Sequence, residues 1–166
     1  ELPGDDLIPG GGAVTRAIGI EAPAADVWPW LVQLGFGRAG WYSYDWIDND
    51  GHPSADAIIP KYQNLEIGDK ILMMPEMGFE VTSIEPERSI VSKLEDGTTS
   101  WCLALSPQED GTTRLLSRWR NKWGTITAAN AIFIALTDPG TFIMEQKMLR
   151  EIRKRAENLS RSDSPL

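Results

Sequence analysis

The sequence is poor in the side chains that build most metal sites and catalytic relays. Its 166 residues include one cysteine, Cys102, and one histidine, His52. A single cysteine excludes an internal disulfide and any multi-cysteine metal site, and a single histidine excludes most two-histidine sites. We therefore expect no bound metal ion.

Basic residues and long apolar runs are scarce as well. The 16 Lys and Arg residues face 24 Asp and Glu residues, which gives a formal net charge of −8. Because a nucleic-acid groove needs a surplus of cations, we expect no nucleic-acid partner. The most apolar stretch, Ala131–Leu136, is far shorter than the roughly 18–20 residues that span a bilayer. The composition, 42% hydrophobic and 24% charged, is typical of a packed domain.

Two short motifs suggest cofactors but lack the surroundings that those cofactors need. Residues Gly35–Gly40 read G-x-G-x-x-G, yet a dinucleotide site requires a strand before this motif, and here a helical pattern precedes it. Residues Asp48–His52 resemble the start of a calcium-binding loop, but the twelfth position, which should be glutamate, is Ile59. We expect a turn at both places and no cofactor.

The spacing of apolar residues outlines the first part of the fold. Residues 14–20 alternate apolar with small or polar side chains, which predicts a strand. A helix is predicted to follow from Pro23 to Gly35, with Pro29 kinking it or delaying its start. A short second helix is predicted over Tyr42–Asp48.

Beyond residue 70 the pattern changes to short strands separated by turn residues. Asp96-Gly97 and Asp110-Gly111 are strong hairpin signals, so the strands should form an antiparallel meander. The predicted strands are Lys70–Met74, Phe79–Ile84, Ile90–Leu94, Trp101–Leu105 and Thr113–Asn121.

A long amphipathic helix is predicted to close the chain. Asp138-Pro139 offers an N-cap and a proline at the first helical position. The apolar face predicted for this helix consists of Phe142, Met148, Leu149, Ile152, Ala156 and Leu159. The fold class is therefore α+β: a curved antiparallel sheet of about six strands wraps around the long helix and leaves a cavity between them.

This order, and several local segments, resemble a known superfamily. The chain is similar to the START-like, SRPBCC superfamily of helix-grip proteins, which includes lipid-transfer domains, plant pollen-allergen-type hormone binders and polyketide cyclases, and within it to a bacterial branch. The segments that carry the resemblance are Val27–Gly35, Gly40–Trp46, Thr113-Arg114-Leu115 with Arg118 and Arg120, Phe142–Glu145 and Lys147-Met148-Leu149. The resemblance covers the chain from Leu2 to about Asn158.

The resemblance also bears on domain organisation and location. With the turn residues at both ends, it implies one helix-grip domain over residues 14–160, after an irregular lead-in over 1–13 and before a frayed tail over 161–166. Members of this branch often carry a hydrophobic segment before the stretch that corresponds to Leu2–Asp5. The resemblance therefore implies either a cytoplasmic protein or one tethered to a membrane through a preceding segment.

Tryptophan is the residue in excess, with seven in the chain. Four of them lie in the segment 28–46, together with Phe36, Tyr42 and Tyr44. These rings either fill the core that holds the short helices to the sheet, or line the mouth of the cavity, where they would gate or stack on a ligand. The sequence leaves both interpretations open.

Two arginines of the last strand pose a similar choice. Arg118 and Arg120 share a face with Leu116, and Trp119 takes the other face. If the arginines face the cavity, they need an anionic ligand or a carboxylate such as Asp45. If they lie on the convex face, they are ordinary solvent charges.

The charge of the last helix has two interpretations as well. Residues 141–161 hold six basic and three acidic residues, a net charge of +3 against −11 for the rest of the chain. This segment could be a membrane or partner patch. We favour a solvated helix face with cations near its C-terminus.

The leading functional hypothesis is binding of a hydrophobic or amphipathic small molecule, for transport or sensing, between the sheet and the C-terminal helix. The resemblance implies an alternative, a polyketide cyclase-like enzyme that steers its substrate with Tyr44, Asp45 and Arg118. A third hypothesis is a protein-interaction domain with a filled core. No catalytic residue is assigned, and the predicted ligand-binding side chains are Trp30, Tyr42, Tyr44, Asp45, Trp46, Trp101, Arg118, Met144 and Met148.

Overall fold

One six-stranded antiparallel sheet and one long helix dominate the computed structural model, which describes residues 1–122 and 128–163, the backbone alone for 128–139 and 163. The sheet order is β1-β6-β5-β4-β3-β2, so the first strand closes the meander beside the last. The strands are β1 (Gly12–Ile20), β2 (Lys70–Met74), β3 (Met77–Glu85), β4 (Ser89–Leu94), β5 (Thr99–Pro107) and β6 (Thr113–Asn121). The helices are α1 (Ala24–Val32), α2 (Asp45–Asp48) and α3 (Ala128–Asp163). The predicted fold class is confirmed.

The alternation of each strand decides which residues face α3. In β5, Trp101, Leu103 and Leu105 point into the main core, while Cys102 lies in a second cluster on the opposite face. In register across the two strands, Trp101 pairs directly with Trp119. Opposed residues on one face lie close enough for their side chains to pack. Two indoles therefore stand side by side on the concave face of the sheet.

The helix α3 covers this concave face and completes the core. Its buried apolar residues recur at helical spacing, Met148 and Leu149 being followed by Ile152 and Ala156. Phe142, which we expected on the same face, is 46% exposed and lies outside the packed apolar face. The Arg16 guanidinium lies 5.1 Å from the centre of its ring. No described helix is long and apolar enough to cross a membrane.

Two helix boundaries differ from the predictions. The helix α3 begins at Ala128, so Asp138-Pro139 is not its N-terminus. Residues 128–137 contain four alanines, the strongest helix former, and the helix continues through Pro139 despite the penalty of about 3 kcal/mol for an interior proline. The helix α2 is shorter than predicted because Tyr42 has φ 53°, in the left-handed region, where a right-handed helix cannot begin. Trp123, which follows the last predicted strand, lies outside the described residues.

The G-x-G-x-x-G segment is a tight loop after α1, as expected. Reciprocal backbone hydrogen bonds of 3.1 Å join Gly35 and Gly40, and both residues have positive φ, which glycine adopts without strain. The Arg38 side chain closes the loop from within by donating to the Val32 carbonyl oxygen at 2.8 Å. The hydrogen bonds of Gly35, Gly40 and Arg38 thus end α1 and turn the chain.

Candidate functional site

A cavity of about 270 Å³ lies between the concave face of the sheet, α2 and α3. Residues of the sheet, α2 and α3 all contribute to it, since a twisted sheet cannot contact a helix along its whole length. Most of its surface is apolar. The described residues that line it are Trp41, Ser43, Ile47, Asp48, Met73, Met74, Trp101, Trp119, Thr141, Met144, Glu145 and Met148.

Three indoles form one continuous wall of this cavity. Trp101 and Trp119 are stacked with ring centres 5.2 Å apart, and Trp41 lies 5.6 Å from Trp101. The buried Trp101 Nε1–H donates to Ser117 Oγ at 2.9 Å, and Trp119 Nε1–H donates to Glu145 Oε1 at 3.0 Å. Both N–H groups are thus satisfied inside the protein, and the ring surfaces are what the wall presents.

Glu145 is the polar centre behind the tryptophan wall. It is 5% exposed and accepts hydrogen bonds from the Ser117 hydroxyl at 2.5 Å and from the indole of Trp119. Its second oxygen forms an ion pair with Arg16 of β1, the residue directly opposite Ser117 in the sheet register. A buried carboxylate is tolerated when it is paired and hydrogen-bonded in this way. The network fixes α3 against β1 and β6.

Asp48, at the end of α2, is the second carboxylate of the cavity lining. Its Oδ1 is buried and has no hydrogen-bond partner among the described residues. Burial and the neighbouring carboxylate of Asp45 raise the pKa of Asp48 by more than hydrogen bonding with Ser43 and the Tyr44 backbone lowers it. Ser43, close by, donates from its hydroxyl to the Met144 carbonyl oxygen at 3.1 Å and ties this segment to α3.

Of the predicted ligand-binding residues, Trp101, Met144 and Met148 line the cavity. Trp30 and Tyr42 instead pack in the adjacent core, with ring centres 6.1 Å apart in an edge-on arrangement. The Tyr42 hydroxyl accepts from the Gln33 amide at 2.8 Å and donates to the Trp30 carbonyl oxygen at 3.3 Å. Burial raises the pKa of Tyr42 to about 12, so the phenol stays neutral and holds α1 to the following loop.

Three further predicted residues lie at the start of α2 without lining the cavity. The Tyr44 ring lies 4.1 Å from Lys147 Nζ in a cation–π contact. Asp45 accepts hydrogen bonds from the Ser54 hydroxyl at 2.5 Å and the Ser54 N–H at 3.0 Å. Trp46 is 76% exposed. The aromatic segment 28–46 therefore divides its rings between the core, the cavity and the surface.

Arg118 was predicted to bind ligand, but it lies on the convex face of β6 and does not line the cavity. Strand alternation sends Trp119 inward and Arg118 outward. There Arg118 Nε lies 3.0 Å from Asp5 Oδ1, and Arg120 Nη1 lies 3.4 Å from the same oxygen. The partner predicted for an inward arginine, Asp45, is bound to Ser54 instead.

Asp5 belongs to an N-terminal strap, residues 1–11, that covers the convex face. Its apolar residues Leu2 and Leu7 pack on the second hydrophobic cluster. Gly4 has φ 81°, and a Cβ there would lie 2.4 Å from a methyl group of Val91, so only glycine fits. Burial alone raises the pKa of Asp5, but the Leu2 N–H and the two arginines outweigh it and hold the pKa below its usual value.

Cys102 lies in the cluster that the strap covers, and burial raises the pKa of its thiol to about 12. We expect a disulfide reagent such as DTNB to react with native Cys102 at mildly alkaline pH on the order of a thousandfold more slowly than with the unfolded chain, because only the thiolate reacts. Asp5→Asn, which loosens the strap, should speed the reaction severalfold. Equal rates in native and unfolded protein would contradict this burial.

Several lining residues were not predicted from the sequence. Glu145 carried a signal, since a charged residue lies one helical turn before Met148 and Leu149 on the predicted apolar face. Strand alternation placed Trp119 on the face of β6 opposite Arg118 and Arg120. Its inward position follows because the two arginines lie on the convex face, with Asp5. Asp48 gave no such signal, because its position depends on how the loop after α1 folds back on the sheet.

Comparisons with known proteins bear on the fold. No family model and no curated protein matches the chain, but solved structures do. The KanY protein aligns at 11% identity over 89% of this chain and 99% of its own, with a TM-score of 0.55. A protein from Nitrosospira multiformis aligns at 14% identity over 90% and 99%, with a TM-score of 0.52. A polyketide-cyclase-like protein from Corynebacterium glutamicum aligns at 18% identity over 93% and 92%, with a TM-score of 0.40.

The two structures with TM-scores above 0.5 share the fold of this chain. A six-stranded antiparallel sheet that grips a long C-terminal helix, with short helices after the first strand, is the helix-grip arrangement of START-like, SRPBCC proteins. The predicted resemblance to these proteins is confirmed at the level of fold.

Proposed function

We propose that the protein binds a hydrophobic or amphipathic small molecule in the cavity between the sheet and α3. The observation that carries the proposal is the 270 Å³ cavity itself. Its wall of Trp41, Trp101 and Trp119 offers a large rigid contact surface. Met144 and Met148 on the opposite side have flexible thioether chains that adapt to the shape of a guest.

The size of the cavity limits the size of its ligand. A dry apolar cavity of about 150 Å³ accommodates benzene, so 270 Å³ suits a molecule somewhat larger than one aromatic ring. Part of a longer chain could also enter while the rest stays at the opening, where Ile47 and Met74 are about half exposed. Affinity would come mainly from apolar area removed from water.

We favour binding over the cyclase-like alternative because the proposed catalytic set is not assembled. Arg118 lies on the convex face with Asp5, and Asp45 is bound to Ser54. The Tyr44 ring contacts Lys147 and does not line the cavity. Polar groups must converge on one substrate for acid–base chemistry, and these three do not.

The protein-interaction alternative has less support. On α3, Arg155 pairs with Glu151 and Arg153 and Arg161 pair with Glu157, all within one helix turn. Intrahelical pairs of this kind are usual on solvated faces. Three of the six bases in residues 141–161 thus pair within their own helix, which favours the solvated-face interpretation.

The proposal is tested by narrowing the cavity. Met144→Trp should place an indole in the cavity and weaken binding of small apolar molecules at least roughly tenfold, a loss of about 1.4 kcal/mol. Met77→Trp is the matched control, because Met77 is exposed and does not line the cavity. Native mass spectrometry of the gently purified protein and calorimetry with a panel of apolar ligands measure ligand binding by the two variants and by the unchanged protein.

The proposal fails if Met144→Trp, folded by circular dichroism, binds as tightly as the unchanged protein. It also fails if the unchanged protein binds nothing from the panel and carries no ligand after purification.

A further inference from the structure

We propose that the ligand of this cavity carries an organic cation, an amine or a quaternary ammonium group, on an apolar body. This inference rests on the proposed function and concerns the same cavity. It follows from the charges that line the cavity and from the aromatic residues that line it with them.

The lining carries acidic groups and no basic one among its described residues. Asp48 and Glu145 contribute carboxylates, whereas Lys, Arg and His are absent from the described lining. The side chains of residues 123–139 are outside the description, and the sequence there contains no Lys, Arg or His either. An anionic ligand would therefore enter an apolar cavity beside two carboxylates without a counter-charge, which is strongly unfavourable.

Two basic groups that neighbour lining residues, Arg16 by its contact with Glu145 and Lys147 beside Met148 in the sequence, are already engaged. Arg16 forms its ion pair with Glu145 and lies over the ring of Phe142. Lys147, on α3, lies over the Tyr44 ring. Neither is among the residues that line the cavity, and both are turned toward other partners.

The two carboxylates of the cavity differ in their partners. Glu145 is matched by Arg16 and receives two further hydrogen bonds, from Ser117 and Trp119. Asp48 Oδ1 is buried with no hydrogen-bond donor among the described residues. A buried acceptor atom without a donor is costly, and an ammonium group from a ligand would supply a donor to Oδ1 and the counter-charge that Asp48 lacks. Asp48 is therefore the counter-ion that we assign to the ligand.

The tryptophan wall, formed by Trp41, Trp101 and Trp119, also favours a cationic ligand. The N–H groups of Trp101 and Trp119 are bound to Ser117 and Glu145, so these rings contribute aromatic carbon surface and no free donor to the cavity lining. Cations are attracted to the face of an indole, and aromatic walls of this kind recognise ammonium groups. The interaction is worth roughly 0.5–2 kcal/mol and grows when the site is dry.

A matched series of three probes tests this inference. The amine 4-phenylbutylamine, the alcohol 4-phenylbutanol and the acid 4-phenylbutyrate share one apolar body and differ in charge at neutral pH. Calorimetry should give the order amine, alcohol, acid, with the amine at least roughly tenfold tighter than the acid.

A charge-removing variant identifies the counter-ion. Asp48→Asn should weaken amine binding roughly tenfold, about 1.4 kcal/mol, and leave alcohol binding within twofold. Glu109→Gln is the matched control: it also removes one negative charge, but Glu109 is exposed in the β5–β6 turn and does not line the cavity. It should change neither affinity, which separates a local contact from a change in net charge.

The outcomes separate the two proposals. If the alcohol or the acid binds as tightly as the amine, the cation inference is wrong and the binding cavity stands. If the amine binds tightest but Asp48→Asn leaves its affinity unchanged, the assignment of Asp48 is wrong. If none of the three probes binds, the proposed function is contradicted together with the inference.

Discussion

Trp101→Ala should destabilise the protein by about 3–5 kcal/mol, the range for truncating a buried aromatic residue. Trp101 is 1% exposed and contacts three other rings, with centres 5.2 to 5.9 Å away. Its loss leaves a void beside an existing cavity and removes the donor to Ser117. Denaturant unfolding followed by far-UV circular dichroism measures the change.

Trp46→Ala is the matched control for this prediction. The same side chain is removed, but Trp46 is 76% exposed, so the free energy of unfolding should change by no more than about 0.5 kcal/mol. Similar losses for the two variants would mean that Trp101 does not occupy the core position described above.

The second large effect is expected at the buried ion pair. Arg16→Met should cost about 3 kcal/mol in the free energy of unfolding, because it leaves the Glu145 carboxylate in the core without its counter-charge. The hydrogen bonds from Ser117 and Trp119 remain; they keep the loss near the lower end of the range for broken buried pairs. The double variant Arg16→Met, Glu145→Met should recover part of the loss, since no charge then stays buried.

The exposed ion pair between Lys70 and Glu95 provides the comparison. Lys70→Met should leave the unfolding midpoint unchanged within error, because water solvates the remaining carboxylate. If Arg16→Met were as mild as Lys70→Met, Glu145 would not be the buried hub that joins α3 to the sheet.

The fold could be predicted because its signals are local. The strands β2 and β6 have their predicted bounds, Lys70–Met74 and Thr113–Asn121, since alternation and Asp-Gly turns act within a few residues. The start of α3 was missed for a related reason: Asp138-Pro139 is a good local start signal, but the helix already begins at Ala128 and runs through it.

The site was less predictable, because its members come from distant segments. Alternation placed Arg118 and Trp119 on opposite faces of β6 but could not say which face was concave. That choice depends on α3 covering one side and on the strap, through Asp5, covering the other. Asp48 required the path of the whole loop after α1, which no short-range pattern encodes.

The most direct measurement of the central claim uses the methionines, because four of the five line the cavity and Met77 does not. A carbon-13 methyl NMR spectrum of methionine-labelled protein resolves them as separate signals during titration with 4-phenylbutylamine. We expect the signals of Met73, Met74, Met144 and Met148 to shift together and saturably, with that of Met77 changing least. Shifts confined to Met77, or no saturable shift at all, would contradict a ligand cavity between the sheet and α3.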